Sequence, residues 1–123
     1  MKQKVHSVSY LAKAEFELKN GVYDLVALPS GAEVVRVSLE VAGNLVDEYI
    51  HVGFKDEPTK NYFLTLERTV SSESGMAATS DKDYTATSNK VVVAEVGGVN
   101  KMNGVKCVLR VVYFLPSVIE VEY

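Results

Sequence analysis

The side chains able to do chemistry in this 123-residue chain are few and scattered. His6 and His51 are the only histidines, and neither has a second His or a Cys close to it in sequence. A zinc site needs three or four such ligands converging on one point, so no metal centre is predicted. His51 is expected on the outer face of a strand. Two acidic pairs, Asp47-Glu48 and Asp56-Glu57, flank one short apolar run. Paired carboxylates can share acid–base work or hold calcium together with loop carbonyls. At strand ends they usually stand in water and discourage edge-to-edge pairing, which is the expectation here.

Ser71, Ser72 and Ser74 lie in one polar stretch, but no glycine-flanked serine marks a strand-to-helix elbow. Gly97-Gly98 is followed by neither a helix nor a lysine motif, which leaves no phosphate cradle. Cys107 is the single cysteine, so no intrachain disulfide can form. Within the apolar run VKCVLRVV it reads as a small buried hydrophobe. There are seven tyrosines and no tryptophan. Tyr49, Tyr62 and Tyr84 could stack sugar rings if they shared an exposed face, the basis for an alternative reading as a carbohydrate- or receptor-binding module. No catalytic, cofactor or metal residue is assigned, and the chain is expected not to be an enzyme.

Bulk properties narrow the field further. Lys and Arg number 13 against 16 Asp and Glu, a net charge of −3, with the cations dispersed among the acids. Nucleic-acid binders carry a basic patch or stripe, so no nucleic-acid partner is expected. Hydrophobic residues make up 47% and charged residues 24%, an ordinary folded composition. A chain of this length buries roughly two thirds of its unfolded surface, and one domain over residues 1–123 is expected. Polar residues interrupt the N-terminal segment, and no stretch reaches the ~20 apolar residues of a membrane span. A reducing cytoplasm and no membrane contact are the expectation.

The elements that would position these residues are strands. From Val5 to Leu18 apolar and polar residues alternate with a period of two, broken only by Leu11 on the polar side. Asn20-Gly21 follows, the preferred pair for a two-residue hairpin turn. A hairpin there would face Leu18 with Tyr23 and Phe16 with Leu25, turning Phe16, Leu18, Tyr23, Leu25 and Ala27 to one side. Pro29-Ser30-Gly31 reads as a tight turn or an arch between sheets. Glu33 to Val41 alternates again, with Val35, Val37, Leu39 and Val41 expected inward. Strands are also predicted over Glu48–Phe54 and Asn61–Glu67, separated by a polar turn with Pro58.

Residues 68–83 are small and polar and read as a long surface loop, followed by a short polar edge strand over Tyr84–Ser88. Val91–Val96 and Val105–Leu115 complete the set, with a weakly alternating tail. Roughly eight strands at intervals of about 8 to 12 residues predict an all-β, antiparallel sandwich, with a jelly roll as the first choice and an immunoglobulin-like sandwich as the second.

One strand has too much apolar surface for its own core. In Val105–Leu115 the row Val105, Cys107, Leu109, Val111, Tyr113 and Leu115 faces one side, while Val108, Val112 and Phe114 lie on the other. A second apolar row calls for more of the chain or a neighbouring subunit to cover it. Val108, Val112 and Phe114, with Val118, Ile119 and Val121 of the tail, are the expected interface residues.

The segment VYDLVALPSGAEVVRVSLEV, followed by Ile50, Val52 and Gly53 as an I-x-V-G strand, resembles small structural proteins encoded by tailed phages and prophages. The match rests on Asp24, Leu25, Leu28, Pro29, Gly31, Ala32 and Val34, on the valine-rich strand after them, and on a closing strand like CVLRVVYFL. The resemblance implies a virion component made in the bacterial cytoplasm, either a head decoration (cement) protein or a small tail or connector piece. It further implies a homo-oligomer, dimer or trimer, in contact with major capsid or tail proteins. No catalytic residues come with it.

Overall fold

In the computed structural model, which describes residues 2–43, 45–67, 76–100, 104–116 and 118–122 (side chains of the last segment excepted), these described residues form strands and no helix. In order they are β1 (Lys2–His6), β2 (Ser9–Glu17), β3 (Gly21–Leu28), β4 (Glu33–Val41), β5 (Tyr49–Phe54) and β6 (Leu64–Glu67). These are followed by β7 (Met76–Thr79), β8 (Tyr84–Thr85), β9 (Lys90–Gly97), β10 (Lys106–Phe114) and β11 (Val118–Glu122). The expected all-β antiparallel sandwich is what forms. One sheet runs β2-β10-β4-β7, with β8 also on β4, and the other runs β3-β9-β5-β6. β1 and β11 make a separate two-stranded ribbon.

Each sheet is built around a strand from the last third of the chain. β10 lies between β2 and β4, and β9 between β3 and β5. Central strands need β-branched and apolar residues on the core side, which VVVAEV and CVLRV supply. Cys107, Leu109 and Val111 of β10 are buried, as are Val37, Leu39 and Val41 beside them and Ile50, Val52, Phe54, Val92, Ala94 and Val96 from the facing sheet. Fully burying each such side chain is worth about 1.5–3 kcal/mol, so this interleaved layer is the main source of stability.

The predicted hairpin at Asn20-Gly21 does not exist. β2 pairs with β10 and β3 with β9, so the chain crosses here from one sheet to the other. A type I′ turn needs positive φ at both central residues. Gly21 has φ of 146°, but no described residue other than glycine has a positive φ. Instead, Asn20 clamps a distant loop: its Nδ2 donates to the Val99 carbonyl at 3.1 Å, and the Val99 N–H donates to its Oδ1 at 2.9 Å.

Two bulges explain the misplaced inward residues. In β3 the register against β9 shifts between Asp24 and Val26, so that Val26 and Leu28 are buried while Ala27 is exposed. Tyr23 and Leu25 are half-buried against the core. In β4 the register against β10 shifts beside Val112 and Tyr113, leaving Val35 exposed and burying Val34. One extra residue reverses the parity of everything beyond it.

Val5–Leu18, expected as one strand, divides into β1 and β2, because β1 leaves the sandwich to pair with β11. The segment 68–83, expected as loop throughout, contains β7, which pairs Met76–Thr79 with Ser38–Val41 of β4. Residues 68–75 lie outside the described residues. The Pro29-Ser30-Gly31 turn is an arch between sheets, with Gly31 at φ of 88° and its N–H donating to the Ala86 carbonyl at 2.7 Å.

Candidate interaction surface

The outer face of the β2-β10-β4 sheet carries the row singled out from the sequence. Alternation along β10 turns Val108, Arg110, Val112 and Phe114 away from the core, all half-buried. The ladders set Val112 between Leu11 of β2 and Arg36 of β4, and Arg110 between Lys13 and Ser38. Leu11, Arg36, Ser38, Arg110 and Val112 line a shallow groove of about 210 Å³. Leu11 is 61% exposed, the most exposed of the large hydrophobics among the described residues.

Charge around the groove is locally positive. Arg110 donates to Glu40 at 3.3 Å from the rim, whereas Arg36 is exposed and makes no ion pair among the described residues. Lys13 stands directly across from Arg110, and like charges so placed are destabilising. Sequence reasoning placed Val108, Arg110, Val112 and Phe114 on one row but missed Leu11 and Arg36 as parts of the same surface. The available signal was Leu11 itself, the one apolar residue on the polar side of its strand.

Val118, Ile119 and Val121 lie on β11, whose backbone places them opposite His6, Val5 and Gln3. Their side chains lie outside the described residues. Ser71, Ser72 and Ser74 lie outside them entirely.

The other sheet presents a contrasting surface. Val46, Asp47, Glu48, Tyr49 and Glu67 surround a depression of about 260 Å³ where the chain enters β5. Glu48 accepts the Val46 N–H at 2.6 Å, which holds the corner in shape. Val46 is 55% exposed. Asp56, of the second acidic pair, bonds Lys90 at 2.7 Å, and that contact lowers the carboxyl pKa and raises that of the ammonium.

The remaining candidates serve packing or local order. His6 Nδ1 bonds the Leu115 carbonyl oxygen at 2.9 Å, and His51 Nδ1 contacts Thr65 Oγ1 at 2.9 Å beside the Tyr49 ring. Among the described residues no three His, Cys, Asp or Glu side chains gather as metal ligands. Cys107 is fully buried, and desolvation pushes its thiol pKa up to about 11, in keeping with the expected buried hydrophobe. Tyr62 and Tyr84 pack on Phe54 with ring centroids at 5.3 and 4.6 Å. Phe54 points into the core, whereas Tyr49 lies on the outer face beside His51. The three tyrosines therefore do not form one stacking platform.

No family model matches the chain, and no curated protein does. Solved structures are informative. The chain is 70% identical to one in the acidic stable capsid structure of Helicobacter pylori bacteriophage KHP30, over 100% of both chains, with a TM-score of 0.90. It also resembles a chain of the cyanophage Pam1 capsid asymmetric unit, with a TM-score of 0.67 over 88% of this chain and 85% of that one. At 19% identity the second likeness is one of fold.

Proposed function

The chain belongs to the family of bacteriophage capsid chains represented in KHP30 and is a virion structural protein, and from that premise we propose that it is a capsid decoration (cement) protein. The carrying observation is the full-length, 70% identical counterpart in a capsid. In this reading residues 1–123 are one non-enzymatic domain that acts by covering joints between capsid subunits. Val108, Val112 and Phe114, extended by Leu11, supply apolar contact between copies, and Val118, Ile119 and Val121 add to it from the terminal ribbon. Copies act as a homo-oligomer, so individually weak contacts become collectively strong.

The strand order supports a jelly-roll assignment. Setting aside the ribbon and the short β8, the chain alternates between β2-β10-β4-β7 and β3-β9-β5-β6 except at the β5–β6 hairpin, the winding of an eight-strand double Greek key.

The test is assembly without this chain. Heads are expected to form, to burst at lower temperature or under milder chemical stress than complete heads, and to recover when the purified protein is added. Failure to form heads at all, or recovery of the protein only in tail fractions, would overturn the decoration role.

A further inference from the structure

We propose that copies of this chain associate head to tail, the β2-β10-β4 groove of one copy receiving the Val46–Tyr49 corner of the next. The inference rests on the lattice-protein reading above and deepens it by naming the partner surface. The two sites are complementary in charge. The groove is apolar at Leu11 and Val112, is flanked by Arg36 and Arg110, and has no carboxylate in its lining among the described residues, Glu40 standing on the rim against Arg110. The corner offers an exposed Val46 amid Asp47, Glu48 and Glu67, with no cation in its lining among the described residues. Val46 entering the groove would bring the acids against the arginines while covering Leu11 and Val112.

Several features of a preformed contact are present. The Val46 N–H is tied to the Glu48 carboxylate, and the Tyr49 ring rests on Gly97, so the corner is held before it meets a partner. Arg36 is exposed without an ion pair among the described residues, and Lys13 faces Arg110 across the ladder. An arriving acid would relieve both.

The geometry also selects the symmetry. Groove and corner belong to opposite sheets, so one copy cannot use both against the same partner across a two-fold axis. Packing groove on groove would press Arg36, Arg110 and Lys13 together, a like-charge juxtaposition that costs several kcal/mol. A heterologous contact remains, which closes into a ring or extends as a chain.

Two one-sided variants test this. Arg36→Glu removes the basic side, and Asp47→Lys with Glu67→Lys removes the acidic side. All three positions are exposed, and circular dichroism checks that each variant folds. In sedimentation velocity at low salt, from micromolar to millimolar protein, the unaltered chain is expected to form species larger than a dimer. Each variant alone is expected to be monomeric. An equimolar mixture of the two should stop at a dimer, because only one intact groove and one intact corner remain between them.

A monomeric unaltered chain, variants that assemble normally, or a mixture that stays monomeric would overturn the contact. Binding of the same proteins to heads lacking the chain separates this inference from the one beneath it. If the unaltered chain binds heads and the variants bind equally well, the head-to-tail contact is wrong and decoration stands. If the unaltered chain does not bind, decoration is wrong.

Discussion

The ring of Tyr49 lies across the backbone of Gly97, its cross-strand partner in the β5–β9 ladder, where a Cβ would overlap the ring. An aromatic over a strand glycine covers backbone that would otherwise be bare. Gly97→Ala is expected to push the ring aside and to cost about 1–3 kcal/mol, as other overpacked sites do. In a Tyr49→Ala background the same change should cost little. Urea denaturation of the four proteins in this double-mutant cycle measures the coupling, and additive costs would show that the two residues do not meet.

Asn20 gives a test of the crossing between sheets. Its two bonds to Val99 hold the residues after β9 against the corner between β2 and β3. Asn20→Ala is expected to lose about 1–2 kcal/mol, near the net worth of two hydrogen bonds. Asn20→Gly should lose as much, whereas at a type I′ hairpin turn glycine would be tolerated. Thermal melts of both variants decide between these outcomes.

Cys107 is expected to resist an aromatic disulfide reagent at pH 8 in the native protein and to react at once in denaturant. Its thiol is buried with its pKa raised to about 11, against about 8.5 in an unfolded chain. The sign follows directly. Stability linked to this group is complete below the unfolded value and is lost as pH climbs toward the folded one. Unfolding midpoints between pH 8 and 11 should therefore fall more in the parent than in Cys107→Ala, which has no thiol to ionise.

The fold should tolerate acid. No charged side chain is buried among the described residues. Glu17, beside Lys19 and Lys106, and Asp56, beside Lys90, have lowered pKa values, so each adds stability above its unfolded value of about 4 and loses it as pH falls through the folded one. Both carboxylates are solvent-exposed, and such pairs contribute little. Calorimetry at pH 7, 4 and 2 should show a gradual decline in Tm. A cooperative acid transition above pH 3 would contradict this.

Strands were legible in the sequence because each buries one face, and alternation such as Ile50-His51-Val52 records that burial directly. Pairing was less legible. Asn20-Gly21 is a local signal, yet whether its flanking strands join each other or separate is decided by β9 and β10, some seventy or more residues away. The bulges beside Leu25 and Val35 were hidden for a related reason, since an extra residue in a valine-rich strand leaves the composition unchanged. The groove was half visible: its apolar row could be read from β10 alone, whereas Arg36 and Leu11 join it only through the ladders.

Among the described strands, β5 and β6 are the only consecutive pair that hydrogen-bond. The two strands at the heart of the sheets, β9 and β10, leave the ribosome after all four of the strands they pair with. Until then β2 and β3 have nothing to zip against and β4 has only the short β7 and β8, so the emerging chain must wait with its valine-rich segments open. Native structure therefore arrives late and all at once, as long-range β pairings close large loops in a single step. In a cell making many copies at a time, that interval is when the chain is most exposed to the wrong strand from a neighbour.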